Sequence, residues 1–251
     1  MQKYKNILFD FDGTICDTSP GIFASMQKVC DWYGLSYGTE TFAKMIGPSL
    51  QESFTKIFHL PESEVRNAIK VYRDFYAAEG MYLCEPYNGV TELILSLRES
   101  GRRIFVATSK PEEYTRKIIA RKGLSKLFDF VGGADMEEKN RIHKVDVINY
   151  VLKENAISIG LSYNENLESE VSDNLKDSNG VHNSGYKQQS EDICDSVLMI
   201  GDRSYDIIGA HKAGLKAMGI LWGFGDRAEL EQCGADYICA TTDEVQKLLI
   251  N

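Results

Sequence analysis

Asp10 and Asp12, one residue apart in LFDFDGTICD, are the side chains of this sequence whose type and spacing point most directly to chemistry. Alternate residues of an extended strand share a face, so both carboxylates are expected to meet one crevice while Phe11 turns into the core. Converging carboxylates repel unless a cation lies between them, and magnesium, which takes one or two carboxylates plus substrate oxygens and water, suits that position. A second acidic pair follows in MIGDRSYDIIGA, where Asp202 and Asp206 can supply further oxygen ligands or support them. In FVATSKPEEY, Thr108 and Ser109 end an apolar run and Pro111 starts a helix. Hydroxyls and backbone N–H groups there form an anion site, although a hydroxyl at that place also serves as an ordinary helix cap. Lys144 in RIHKVDVI can neutralise an anionic group and a carboxylate nucleophile, with Lys110, Lys139 and Arg141 as competitors.

These side chains need elements to carry them. Buried strands are predicted at Asn6 to Phe11, Arg103 to Thr108, Phe130 to Gly133, Val197 to Ile200, Lys216 to Ile220 and Tyr237 to Cys239. Helical stripes lie between them: Val90, Leu93 and Leu97; Tyr114 and Ile118; Val145, Ile148 and Leu152; Ile207 and Ile208. Strand and helix in alternation imply an α/β fold, a Rossmann-like parallel sheet covered on both faces. Ligands of such sheets bind beyond the carboxyl ends of the strands, where all four polar motifs fall.

Roughly 90 residues separate the first two strands, far more than a crossover helix needs. Val65, Ile69, Tyr72 and Tyr76 repeat there at helical spacing, so residues 19–82 are expected to form an inserted all-helical cap domain. Residues 1–18 and 83–251 then form the core domain, joined to the cap by linkers before Pro20 and around Glu85 and Pro86. Paired linkers at the mouth of a site fit a hinged lid. Residues 162–192, polar and poor in large apolar side chains, read as a flexible insert at the edge of the sheet opposite the site.

A formal net charge of -9 argues against a nucleic-acid or anionic-membrane partner and leaves a small molecule. Six cysteines with no CxxC pair indicate neither zinc nor a disulfide framework. No apolar run is long enough for a bilayer span and the amino-terminal segment lacks signal-peptide features, so the expected compartment is cytoplasmic.

The four motifs, in this order and at these strand ends, resemble the haloacid dehalogenase superfamily of phosphatases, with DxDGT and GDxxxD as its first and fourth motifs. The helical detour is similar to the cap of the subgroup containing phosphoglycolate phosphatase and beta-phosphoglucomutase. MIGPSLQESF, EPYNGV, ATSKP and LWGFGDRAELEQCGADYI look most like phosphoglycolate phosphatases and 5'-nucleotidases. The resemblance implies Asp10 as nucleophile, Asp12 as acid and base, and Thr108 and Lys144 as phosphate binders. It implies Asp10, Asp12 through its carbonyl, and Asp202 as magnesium ligands, with Asp206 in support. Related dehalogenases lack an acid at position 12 and related ion pumps carry Thr, so Asp12 favours hydrolysis of a small phosphate monoester. A sugar-phosphate mutase and a phospho-acceptor signalling module are the alternatives. Substrate choice is expected to lie in the cap, around Gly47, Pro48 and Ser49 and either Lys56 or Arg73.

Overall fold

The computed structural model describes residues 3–136, 139–157 and 196–250. The 162–192 insert and Cys194 lie outside them.

Continuous apolar runs form the sheet because both of its faces are covered. In β6 (Val197–Gly201) every residue is buried. It pairs in parallel with β1 (Asn6–Phe9), and the six strands lie in the order β5 (Phe130–Ala134), β4 (Arg103–Pro111), β1, β6, β7 (Lys216–Ile220) and β8 (Tyr237–Cys239). Side-chain alternation splits the core in two. Ile7, Phe9, Val106 and Ile200 face α5 (Val90–Glu99), α6 (Glu112–Arg121) and α10 (Thr242–Ile250), through Leu93, Leu97, Ile118 and Val245. Leu8, Phe105 and Met199 face α7 (Lys144–Glu154), α8 (Ser204–Lys212) and α9 (Arg227–Gln232), through Ile148, Val151, Ile207 and Leu230.

Two strand ends differ from expectation. β1 stops at Phe9 because the Phe11 carbonyl accepts from the N–H groups of Ile15 and Cys16, both at 3.0 Å, closing a turn. Gly13 makes that turn feasible, at φ +78°, and a side chain there would collide with Asp202. β4 instead runs on to Pro111 with irregular pairing after Thr108, and α6 begins at Glu112. Two helical stripes also shift. Val145 is half-buried and α7 buries Lys144, Val147, Ile148, Val151 and Leu152, while Ile208 on α8 is exposed.

The detour is an all-helical cap: α1 (Ser19–Tyr33), α2 (Thr39–Ala43), α3 (Leu50–Glu52), a π-helical turn (Ser53–Ile57) and α4 (Glu62–Ala78). Val65, Tyr72 and Tyr76 are buried along α4, joined by Ala68, while Ile69 is only half-buried. Phe42, Phe54 and Phe58 form the aromatic centre of the cap. Gly21 lets α1 meet the chain beyond α4, since a Cβ there would collide with the Gly80 carbonyl oxygen. The two linkers pair as an antiparallel ribbon, β2 (Cys16–Asp17) with β3 (Glu85–Pro86). Strands of two residues carry no periodicity, which is why the ribbon escapes sequence reading. Among the described residues, no helix is long and apolar enough to cross a membrane.

Candidate active site

Asp10 follows β1 and Asp202 follows β6, two adjacent strands, while Asp206 stands on the first turn of α8. One carboxylate oxygen from each of the three lies within 4.8 Å of the others, and all three residues are buried. Lys144, at the first position of α7, reaches under them: its Nζ is 2.8 Å from Asp10 Oδ1 and 2.7 Å from Asp206 Oδ1, and it donates to the Ala107 carbonyl. Asp202 is fixed from both sides, by the Thr14 hydroxyl at 3.0 Å and the Phe224 N–H at 2.8 Å. Asp206 accepts from the Arg203 N–H at 3.1 Å.

One ammonium group against three buried carboxylates leaves excess negative charge. Burial raises the pKa of Asp10, and repulsion from Asp206 adds to it, against the opposing pull of Lys144 and Thr108. Asp202 is held well above the usual carboxylate range, by burial first and then by Asp206 and Asp10. Burial works against the charge of Lys144, yet Asp10 and Asp206 together outweigh it and keep the ammonium above its usual value. A divalent cation would remove the excess, so the donor set, all hard carboxylate oxygen, fits magnesium.

Asp12 parts from this cluster. Asp10 and Asp12 still face one cavity while Phe11 is buried in the core, as alternation predicts, although β1 itself ends at Phe9. The Asp12 carboxylate is gripped instead by Lys110, whose Nζ donates to both oxygens at 2.8 Å. Of the expected ligand set, Asp10 and Asp202 with Asp12 through its carbonyl and Asp206 in support, the carboxylates of Asp10, Asp202 and Asp206 lie together, and the Asp12 carboxylate, from which no ligation was expected, lies apart. Thr108 is buried and its hydroxyl oxygen accepts from the Lys110 N–H at 3.2 Å, while Ser109 is exposed at the rim. Neither caps α6, whose N-cap is Pro111. Arg141 lies over the Tyr150 ring and near Glu112, so it does not take the place of Lys144.

A cavity of about 400 Å³ opens between the cap and the carboxyl ends of the strands. Asp10, Asp12, Thr108, Ser109, Lys144 and Asp206 line its floor, and its roof includes Met26, Ile46, Tyr72 and Tyr76. Gly47, Pro48, Ser49 and Arg73 are part of the wall. Lys56 is not: it is exposed and pairs with Glu52 at 2.7 Å. Sequence reasoning missed Thr14 and Phe224 as the holders of Asp202, and named Lys110 merely as a rival to Lys144. Burial of Lys144 did have a signal, because it stands four and seven residues before Ile148 and Val151 on the apolar stripe of α7.

Carboxylates, a buried lysine and a hydroxyl gathered at the carboxyl ends of a parallel sheet, beneath a helical cap, define an α/β enzyme built to handle an anionic substrate. The chain belongs to the haloacid dehalogenase-like hydrolases, whose family model matches residues 7–189; a second, HAD-hydrolase-like model matches residues 172–245. A 5'-nucleotidase of Pseudomonas aeruginosa is 27% identical over 248 residues, covering 98% of this chain and 96% of that protein. The tyrosine-protein kinase PtkA of Mycobacterium tuberculosis is 27% identical over 97% of this chain and 72% of its own length. A crystal structure of a predicted phosphatase from Clostridium acetobutylicum superposes with a TM-score of 0.80 at 31% identity, covering 98% of both chains. The protein is a HAD-family phosphatase, a phosphoric monoester hydrolase.

Proposed function

We propose that this site hydrolyses a small phosphate monoester in two steps, with magnesium, through an aspartyl-phosphate on Asp10. The observation that carries the reading is the buried cluster of Asp10, Asp202 and Asp206 bridged by Lys144 at the floor of a closed-over cavity. Asp10 and Asp202, the Asp12 carbonyl and, in support, Asp206 would hold the ion, which supplies neutralising charge for the phosphoryl group.

Asp10 attacks phosphorus, its oxygen forming the new P–O bond as the ester P–O bond breaks. Asp12 gives its proton to the departing alkoxide. Water then loses a proton to Asp12 and attacks phosphorus; the acyl-phosphate P–O bond breaks, releasing inorganic phosphate and the Asp10 carboxylate. Lys144 and the hydroxyls of Thr108 and Ser109 stabilise the phosphoryl oxygens throughout. The cap shields the intermediate from bulk water and positions the leaving group.

The substrate is a nucleoside monophosphate or a smaller ester such as phosphoglycolate. The former is favoured by the cavity of about 400 Å³, roomy for a two-carbon leaving group, and by the P. aeruginosa relative. Rates with nucleoside monophosphates, phosphoglycolate, pyrophosphate and sugar phosphates rank these readings, and phosphate transfer from a sugar bisphosphate would mark a mutase. Asp10→Asn should abolish turnover of every substrate in magnesium; residual turnover within about tenfold of the parent would remove Asp10 as nucleophile. Magnesium should raise the melting temperature of the parent and lose that effect in Asp202→Asn, a readout independent of activity.

A further inference from the structure

Lys110 is a buried cation with no part in the steps above. Its side chain is 4% exposed, and its ammonium spans both oxygens of Asp12 at 2.8 Å. The face of Tyr76, from cap helix α4, lies against the same ammonium, 4.9 Å from the ring centroid. Tyr76 in turn stacks on Tyr72 of α4 and meets Tyr114 of core helix α6 edge-on. Lys110 is thus the joint between a core carboxylate and an aromatic contact that the cap brings.

A buried ammonium in charge-assisted contact with both oxygens draws the carboxylate toward Nζ, and a lone Asp side chain on a turn has no comparable restraint. The pair also explains why Asp12 stands apart from Asp10, Asp202 and Asp206 despite its closeness in sequence. We infer that Lys110 is a positioning residue, turning the Asp12 carboxylate away from the metal-binding cluster and toward the cap, and that Tyr76 holds Lys110 in place. Acid and base catalysis is then complete only while the cap sits on the core. The inference rests on the proposed role of Asp12 and concerns orientation, through one ion pair and one ring contact.

A residue that acts through Asp12 affects substrates according to their need for a proton. An alkyl phosphate must have its leaving oxygen protonated, whereas 2,4-dinitrophenyl phosphate departs without help. Because kcat/KM reports formation of the aspartyl-phosphate alone, Lys110→Met should lower it on the order of 10- to 100-fold for the alkyl ester and by less than about threefold for the dinitrophenyl ester. Inhibition by inorganic phosphate should be unchanged. Tyr76→Leu should give a weaker loss with the same selectivity, and Tyr76→Phe, which keeps the ring, should restore parent behaviour. In an Asp12→Asn background, Lys110→Met should add less than about twofold, since the partner it positions is gone. The double variant, which buries no unpaired charge, keeps the test available if Lys110→Met folds poorly. Equal losses for both esters with weaker phosphate inhibition would show that Lys110 binds the phosphoryl group itself and overturn the inference. Full additivity with Asp12→Asn would do the same. Loss of activity on neither ester in Asp10→Asn would instead strike the underlying reaction and leave the ion pair without a catalytic reading.

Discussion

Lys144 stands where most helical lysines do not, on the buried stripe of its helix, because two carboxylates wait at the end of its side chain. Removing one member of a buried charge cluster leaves the others without compensation, a larger loss than that of the contact itself. Lys144→Met should therefore destabilise the protein by about 3–5 kcal/mol in urea unfolding at neutral pH. Magnesium should restore part of that loss by neutralising Asp10 and Asp206, and a variant as stable as the parent in its absence would mean that the cluster carries little charge. At this scale the sequence showed which residues meet but not how they divide. DxDGT and GDxxxD announced carboxylates at strand ends, and Asp10, Asp202 and Asp206 do converge. Assignment of the Asp12 carboxylate to Lys110 depended on a contact between distant segments, which alternation within one strand does not anticipate.

Between elements, the loop from β6 into α8 touches the cap directly. Arg203 donates to the Ile46 carbonyl beyond α2 while its Nε holds Glu229 of α9 at 3.0 Å. One guanidinium thus ties the cap to the loop that carries Asp202. Arg203→Ala should free that side of the cap, raising KM by about 3- to 10-fold with a smaller change in kcat, and speeding hydrogen exchange over residues 42–48. Unchanged exchange there would show that the cap is retained by its aromatic contacts alone. The sheet itself was legible because buried parallel strands are written as unbroken apolar runs, VLMIG at β6 being the clearest. The cap helices were legible through the stripe on α4. What escaped were contacts between distant segments, the β2–β3 ribbon and the Arg203 bridge, since neither leaves a periodic trace.

Across the whole molecule, the edge of the sheet far from the site offers a pH-dependent lock. Asp236 receives the Ala217 N–H at 2.9 Å, pairs with Lys216 at 2.6 Å and meets His211 Nε2 at 3.0 Å, tying the end of α8 to β7 and the approach to β8. Partial burial raises the pKa of this carboxyl, but Lys216, the Ala217 N–H and His211 outweigh it and hold the group below the usual range. The unfolded chain therefore binds this proton more readily than the native state does, so the contribution to stability is present above the ordinary carboxylate value of about 3.9 and fades as pH falls through the lower native one. Asp236→Asn should cost about 1 kcal/mol at pH 7, roughly 2–4 °C in melting temperature for a chain of this size. That gap should close below about pH 4, where the parent loses the same charge. The formal net charge of -9 also shrinks on acidification, but this affects parent and variant nearly alike and cancels in their difference. A gap that persists to about pH 2.5 would assign the stabilisation to the shape of the side chain and its hydrogen bonds, with no contribution from ionisation.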